Sequence, residues 1–395
     1  MFRIAPVFVL ATCFAAALSA EDFNAAAPNA DGQLPAFEGQ TRAPVIADAR
    51  PLNREIIARR LNHPWGMDQL PDGRWLVTER PGRMRIITPE GTRSAPISGL
   101  PDVDARGQGG LLDVVVAEDF AATRRVWWSF SEPRGEGRNS TSVATGLLSE
   151  DGAAMTDVAV IFRQEPTWDS QLHFGSRLVF DRTGALFVTT GERGHAAPRQ
   201  LAQDVATDLG KVVRIAPDGG PAAGNPEIAG GRSEIWSYGH RNMQGATLGP
   251  DGALWTVEHG PQGGDELNRP EPGRNYGWPV ITYGEDYSGA PIGAGITAKA
   301  GMEQPLYYWD PVIAPSGMTF YAGTMFPDWQ GSLLIGGLAS QALVRLTLDG
   351  TKVTGEARYF EGQGRVRDVD VAQDGAVMIL SDARNGALIR ITPAE

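Results

Sequence analysis

The sequence predicts an all-β fold, a six-bladed β-propeller with four-stranded antiparallel blades. Three observations carry this prediction. The 395 residues include 49 glycines and 28 prolines, which suits many short strands joined by tight turns. A glycine turn followed by an alternating apolar strand recurs along the chain. No stretch keeps a helical apolar period, which argues against a parallel α/β fold.

The recurring units run in order. Asp72-Gly73 leads into Arg-Trp-Leu-Val-Thr-Glu79, and Thr183-Gly184 into Ala-Leu-Phe-Val-Thr-Thr190. Asp251-Gly252, Gly331 and Asp374-Gly375 open three more such strands. A second strand with an arginine often follows, as in Arg83-Met-Arg-Ile86, Lys211-Val-Val-Arg-Ile215 and Leu388-Ile-Arg-Ile391, so each pair reads as a β-hairpin. The gap between Gly73 and Gly184 has room for one further unit, with Val126-Trp-Trp-Ser-Phe130 as its strand. Six all-β units fit a propeller, which protects its edges by closing around a central channel. A β-sandwich array is the competing architecture. In a propeller, loops on one face converge on the axis, so polar residues just after the repeated strands are expected to form one pocket.

The start of the chain reads differently. Met1-Phe2-Arg3 is basic, Ile4 to Leu18 is almost wholly apolar, and Ala17-Leu18-Ser19-Ala20 supplies small residues. Residues 1–20 therefore read as a secretory signal peptide, cut near Ala20 or nearer Ala17. Residues 21–42 read as a flexible lead-in, and 43–395 as the propeller domain. No later segment is long and apolar enough to cross a bilayer, so the expected product is soluble, exported to the periplasm or secreted, without stable membrane insertion. With 47 acidic against 35 basic residues the formal charge is −12, which argues against a nucleic-acid partner. A single cysteine excludes a disulfide framework, a thiolate zinc site, an iron–sulfur cluster and c-type haem attachment.

Several strand-end segments carry chemistry. Gln108 sits in Gly107-Gln-Gly-Gly-Leu-Leu-Asp113, a glycine-rich turn. His173, in Leu172-His-Phe-Gly-Ser-Arg177, is a candidate proton acceptor because imidazole titrates near neutrality. Arg241 and Asn242 share the loop Tyr238-Gly-His-Arg-Asn-Met-Gln244, and Arg365 and Arg367 lie two apart. Such arginines in an acidic chain suit a ligand with several carboxylates, or else pair with surface aspartates. The segment Glu258-His-Gly-Pro-Gln-Gly-Gly-Asp-Glu-Leu-Asn268 offers backbone carbonyls with Asp265 and Glu266 as hard oxygen donors. That set suits Ca²⁺ better than zinc, and an acidic turn without metal is the plain alternative.

From about Asn62 to Thr392 the chain resembles the soluble PQQ-dependent aldose sugar (glucose) dehydrogenases, a six-bladed propeller family. The matching segments run in order: Pro64-Trp-Gly66 with Thr78-Glu-Arg80, Gly107–Leu112, His173–Arg177, Gly191-Glu-Arg-Gly194 and Tyr238–Asn242. They continue through Glu258–Pro261, Asp265–Asn268, Asn275–Pro279, Ala314–Gly317 and Arg365–Asp368. The resemblance implies His173 as the general base taking the sugar C1 hydroxyl proton while hydride passes to the quinone. It implies Gln108, Arg241, Asn242, Arg365 and Arg367 as groups holding PQQ, with Tyr287 and Trp309 as neighbours. The carbonyls of Gly260 and Pro261 match ligands of a Ca²⁺ that also binds PQQ, and Glu266 with Tyr276 match a further calcium site. Three departures stand out. Glu192 replaces an Asp near the base, Met243 replaces a Pro, and no Lys occurs around Ala339 where some members place one against the cofactor.

The expected activity is thus PQQ- and Ca²⁺-dependent oxidation of aldoses, with a separate electron acceptor because the chain has no haem motif. A non-catalytic propeller binding module and a propeller lactonase are the competing readings. No Gly-x-Ser-x-Gly segment supports a hydrolase.

Overall fold

A computed structural model describes residues 23–47 and 50–394, so the expected signal peptide at 1–20 lies outside the described residues. Six antiparallel sheets are arranged around one axis. Their innermost strands are Pro64–Gln69, Leu111–Val116, Gly175–Phe180, Met243–Leu248, Pro315–Phe320 and Val366–Val371, which define blades 1 to 6 in chain order. Within each blade the chain moves outward strand by strand. The ring closes through Leu52–Leu61, which forms the outer strand of blade 6 by pairing with Gly386–Pro393.

Five blades have four strands, and blade 1 has three. In its fourth position Ser94 and Ile97 donate single bonds to Ile86 and Met84 instead of forming a ladder. Pro96 lies between them and has no N–H to contribute. Apolar clusters fill the spaces between sheets. The cluster joining blades 1 and 2 holds Leu76, Met84, Trp128 and Phe130, each fully buried and each contributing roughly 1.5–3 kcal/mol of transfer free energy.

All six innermost strands begin with a one-residue bulge against the second strand, for example between Pro64 and Met67 and between Leu111 and Val114. A bulge leaves an N–H without a ladder partner. In three blades a hydroxyl from the second strand accepts it: Thr78 from Gly66, Ser129 from Asp113, Thr189 from Arg177. Those hydroxyls donate onward to carbonyls of Leu112, Ser176 and Met243 in the next blade. The bulge is thus also the clamp between neighbouring blades. The fold delivers the start of each innermost strand and the end of each second strand to the same face.

The lead-in expected to be flexible is instead held in place. Asn29 Oδ1 accepts the Val312 N–H at 2.7 Å, Gln40 Nε2 donates to Pro305 O at 2.9 Å, and Arg42 donates to Asp310 O at 2.9 Å. Residues 23–46 strap across the outer strands of blades 4 and 5. Among the described residues no helix is long and apolar enough to cross a membrane.

Candidate active site

Antiparallel pairing decides which residues meet on the upper face. Gln108, His173, Arg241, Asn242 and Arg365 precede innermost strands, whereas Arg80, Glu192, His259 and Asp382 follow second strands. The expectation that residues after strands would meet is therefore half of the rule; those just before the innermost strands complete it.

His173 is buried, with a positive φ of 47°. Its N–H donates to Gln108 Oε1 at 2.8 Å, so Gln108 holds the His173 backbone directly. Its Nδ1 lies 3.1 Å from Glu192 Oε2. The longer glutamate therefore reaches the ring. Gly191 must be glycine, because a Cβ there would stand 2.0 Å from His173 O. Burial pushes Glu192 up, but the His173 ring and Arg241 outweigh it and hold the carboxyl below its usual range. Burial lowers the His173 pKa; Glu192 opposes this, Arg241 and Arg193 add to it, and the net shift is downward. A carboxylate can only accept, so Nδ1 carries the proton and Nε2 presents a lone pair.

Arg241 donates from its backbone to Glu258 Oε2 at 2.6 Å and from Nη1 to His259 O at 3.0 Å. Asn242 Oδ1 accepts the Gly175 N–H at 3.1 Å. Arg367 reaches Gln244 Oε1 at 2.6 Å and Asp382 Oδ2 at 2.7 Å, and Arg365 stands 3.4 Å from that same oxygen. Burial raises Asp382, but Arg367 and His63 overwhelm it and hold its carboxyl well below the usual carboxylate range. Arg80 adds a third guanidinium to this group and donates to Gly109 O at 3.1 Å, fixing the Gln108 turn.

His259 sits among these groups, interacting electrostatically with Arg241, Arg367 and His173. Its Nε2 donates to Pro315 O at 2.6 Å, and burial together with Arg241 takes its pKa down to about 3. It is a neutral imidazole at any ordinary pH. The sequence reading missed it and Asp382. His259 was absorbed into a glycine-rich segment, and Asp382 lies outside every motif although two predicted arginines converge on it.

The arrangement fits an anionic ligand. Buried Arg241 Nε, Asn242 Nδ2 and Arg367 Nε have no partner among the described residues. Buried donors without acceptors are costly, and a bound polycarboxylate would satisfy them.

Gly260 and Pro261 are buried, and neither carbonyl accepts a backbone bond among the described residues. Asp265, expected as an oxygen donor, instead holds the loop: Oδ1 accepts from Gly260 N at 2.8 Å and Oδ2 from Ala314 N at 2.7 Å. The two carbonyls suit a hard cation. Glu266 is half-buried near Glu258, and burial with that neighbour raises its pKa well above the ordinary value. Tyr276 stacks on His240 at 4.8 Å, and its hydroxyl is engaged by Arg269 O and Glu271 N. Tyr276 can therefore offer a cation only its backbone carbonyl.

Of the two predicted cofactor neighbours, one packs into the core and the other is exposed on a turn. Trp309 is a core residue of the outer strand of blade 4, with its indole N–H on Glu356 Oε2 at 3.0 Å. Tyr287 is 73% exposed, on the turn Asp286–Ala290.

Residues 61–390 match the glucose/sorbosone dehydrogenase family. The chain belongs to that family. It is 45% identical over 348 residues to the aldose sugar dehydrogenase YliI of Escherichia coli K12, covering 87% of this chain and 93% of that one. The quinoprotein glucose dehydrogenase B of Acinetobacter calcoaceticus is 26% identical over 415 residues, covering 85% and 86%. Among solved structures, the apo form of the E. coli soluble aldose sugar dehydrogenase superposes with a TM-score of 0.83 at 44% identity, covering 87% of this chain and all of that one (100%). The PQQ-bound aldose sugar dehydrogenase of Streptomyces coelicolor gives 0.72 at 28% identity, covering 87% and 100%. This member of the glucose/sorbosone dehydrogenase family keeps the six-bladed frame its sequence predicted.

Proposed function

We propose that this chain oxidises aldose sugars at C1 with PQQ and Ca²⁺ as cofactors, His173 acting as general base. The observation that carries the reading is the His173–Glu192 pair set beside buried donors that lack acceptors. Arg241, Asn242, Arg365 and Arg367 would hold the PQQ carboxylates, and the Gly260 and Pro261 carbonyls would hold Ca²⁺. Bound PQQ supplies a quinone that accepts hydride, and Ca²⁺ polarises its carbonyl.

The chain's own contribution is proton handling and placement. His173 Nε2 takes the sugar C1 hydroxyl proton, which makes the C1–H a better hydride donor. Glu192 stabilises the imidazolium that forms, as a buried carboxylate on Nδ1. Gln108 holds the His173 backbone, so the ring approaches from one direction. Export by the leader at 1–20 and electron delivery to a separate acceptor belong to the same reading.

The PQQ-bound Streptomyces relative supports the cofactor, and the E. coli aldose dehydrogenase supports the substrate class. A lactonase would need channel acids free to bind metal; here Asp68, Asp113 and Asp368 accept backbone N–H groups instead. The test is reconstitution of purified apoprotein with PQQ and Ca²⁺, followed by dye reduction across a panel of aldoses. Turnover is expected only with both present; equal activity with neither overturns the proposal.

A further inference from the structure

Arg193 is fully buried and lies directly behind the base. Its Nη1 donates to His173 O at 3.0 Å, and its Nη2 donates to Ser170 O at 3.0 Å and to Asn139 Oδ1. The guanidinium carbon stands 3.7 Å from the centre of the Phe174 ring. No carboxylate pairs with it among the described residues, which is unusual for a charge with no exposure. An ion this costly to bury needs a role.

We infer that Arg193 is a positioning residue for the general base, holding the His173 carbonyl so the residue keeps its left-handed backbone and setting a second buried cation beside the ring. This rests on the reading of His173 as the base. The geometric half follows from the fork. Two N–H groups grip carbonyls on either side of the 170–173 turn, while the aromatic ring of the next residue fixes the guanidinium plane. The electrostatic half follows from the census of charges at the ring. Glu192 and Arg193 face it from the turn after Leu186–Thr190, Arg241 from the turn before Met243–Leu248, and His259 from the end of Leu254–Glu258. Glu192 favours imidazolium, and the two arginines oppose it. A base must be unprotonated to act, so the second cation counteracts what the carboxylate would otherwise do.

The test separates charge from grip. Arg193→Gln keeps hydrogen-bonding capacity and removes the charge; Arg193→Lys keeps the charge and loses the fork. The ¹⁵N resonances of the His173 ring are followed by NMR against pH in cofactor-free protein, with thermal melts confirming folding. Arg193→Gln is expected to raise the His173 midpoint, and the acidic limb of dye reduction in reconstituted enzyme should move with it. Arg193→Lys is expected to leave the midpoint in place but lower kcat several-fold with KM unchanged. A folded Arg193→Gln protein with an unmoved midpoint overturns the electrostatic role. If that variant does not fold, the lysine variant decides: parental kcat overturns the inference, and reduced kcat at parental KM supports it. The NMR midpoint does not depend on turnover, so failure of this inference and failure of the base assignment are told apart.

Discussion

The two ends of the axial channel use similar residues for opposite purposes. At the lower end Arg177 Nη1 lies 2.9 Å from both Asp113 Oδ1 and Asp368 Oδ1, while the other carboxylate oxygens accept N–H groups of Leu178 and Met67. Asp68 likewise accepts from Val116 N at 2.7 Å. Each of these carboxylates pins its blade to the next. Gly66 and Gly317 make room for them, since a Cβ at either position would collide with Asp113 or Asp368. In that lower cluster Arg177 Nη2 alone has no partner among the described residues, whereas at the upper end donors on Arg241, Asn242 and Arg367 all remain unanswered. Polar groups whose bonding capacity is filled by the backbone hold a fold together; those left open are available to a ligand.

The contrast is broken most directly at the base. His173→Ala is expected to lower reconstituted turnover by about 10²–10⁴-fold while leaving PQQ retention near parental in a fluorescence titration. Unchanged turnover would remove His173 from its role. The lower end predicts a different loss. Arg177→Met strands two buried carboxylates and is expected to cost about 3–5 kcal/mol in denaturant unfolding. A variant as stable as the parent would show that the charges there do not clamp the blades.

Arg367→Ala tests the open end more gently. It removes a buried cation with one unanswered N–H and is expected to weaken PQQ binding by about 1.5–3 kcal/mol, the worth of one charged hydrogen bond. Arg365, half exposed and 3.4 Å from Asp382, should matter less. Equal losses from the two substitutions would contradict the ranking by burial.

What could be read beforehand depended on how local each signal was. The glycine turns at Gly73, Gly184, Gly252, Gly331 and Gly375 all join an innermost strand to its second strand, so a short pattern marked five blades. Blade 2 escaped that pattern because the short helix Phe120–Thr123 makes the connection, yet its second strand, Arg125–Pro133, contains the expected Val126–Phe130. The gathering of His173 and the arginines on one face was legible because residue type and strand-end position together define it. Trp309 misled because an aromatic on an outer strand looks the same in sequence whether it faces a ligand or a neighbouring sheet; here it packs with Trp255, Ile313 and Val344. The lead-in misled because its order comes from contacts with residues more than 250 positions away, such as Asn29 with Val312. Composition cannot show such partners.

A further test of the contrast uses pH, and its sign differs between the two ends. At the lower end Asp370 is pushed up to about 7 by burial and by Asp368. A carboxyl raised in the folded state binds its proton more tightly there than when unfolded, near 3.9. Its contribution to stability is therefore present at low pH and lost as pH rises from about 4 to about 7. Asp382, at the upper end, is depressed, so its contribution is present above about 4 and lost as pH falls through its folded value. Asp370→Asn removes a slope of up to about 1.4 kcal/mol per pH unit, so its melting temperature relative to the parent should be higher at pH 8 than at pH 5. Asp382→Asn should be less stable than the parent by the same margin at both pH values, because both lie above the unfolded carboxyl pKa. If the two variants show the same pH trend, the channel ends do not differ electrostatically in the way their hydrogen bonds indicate.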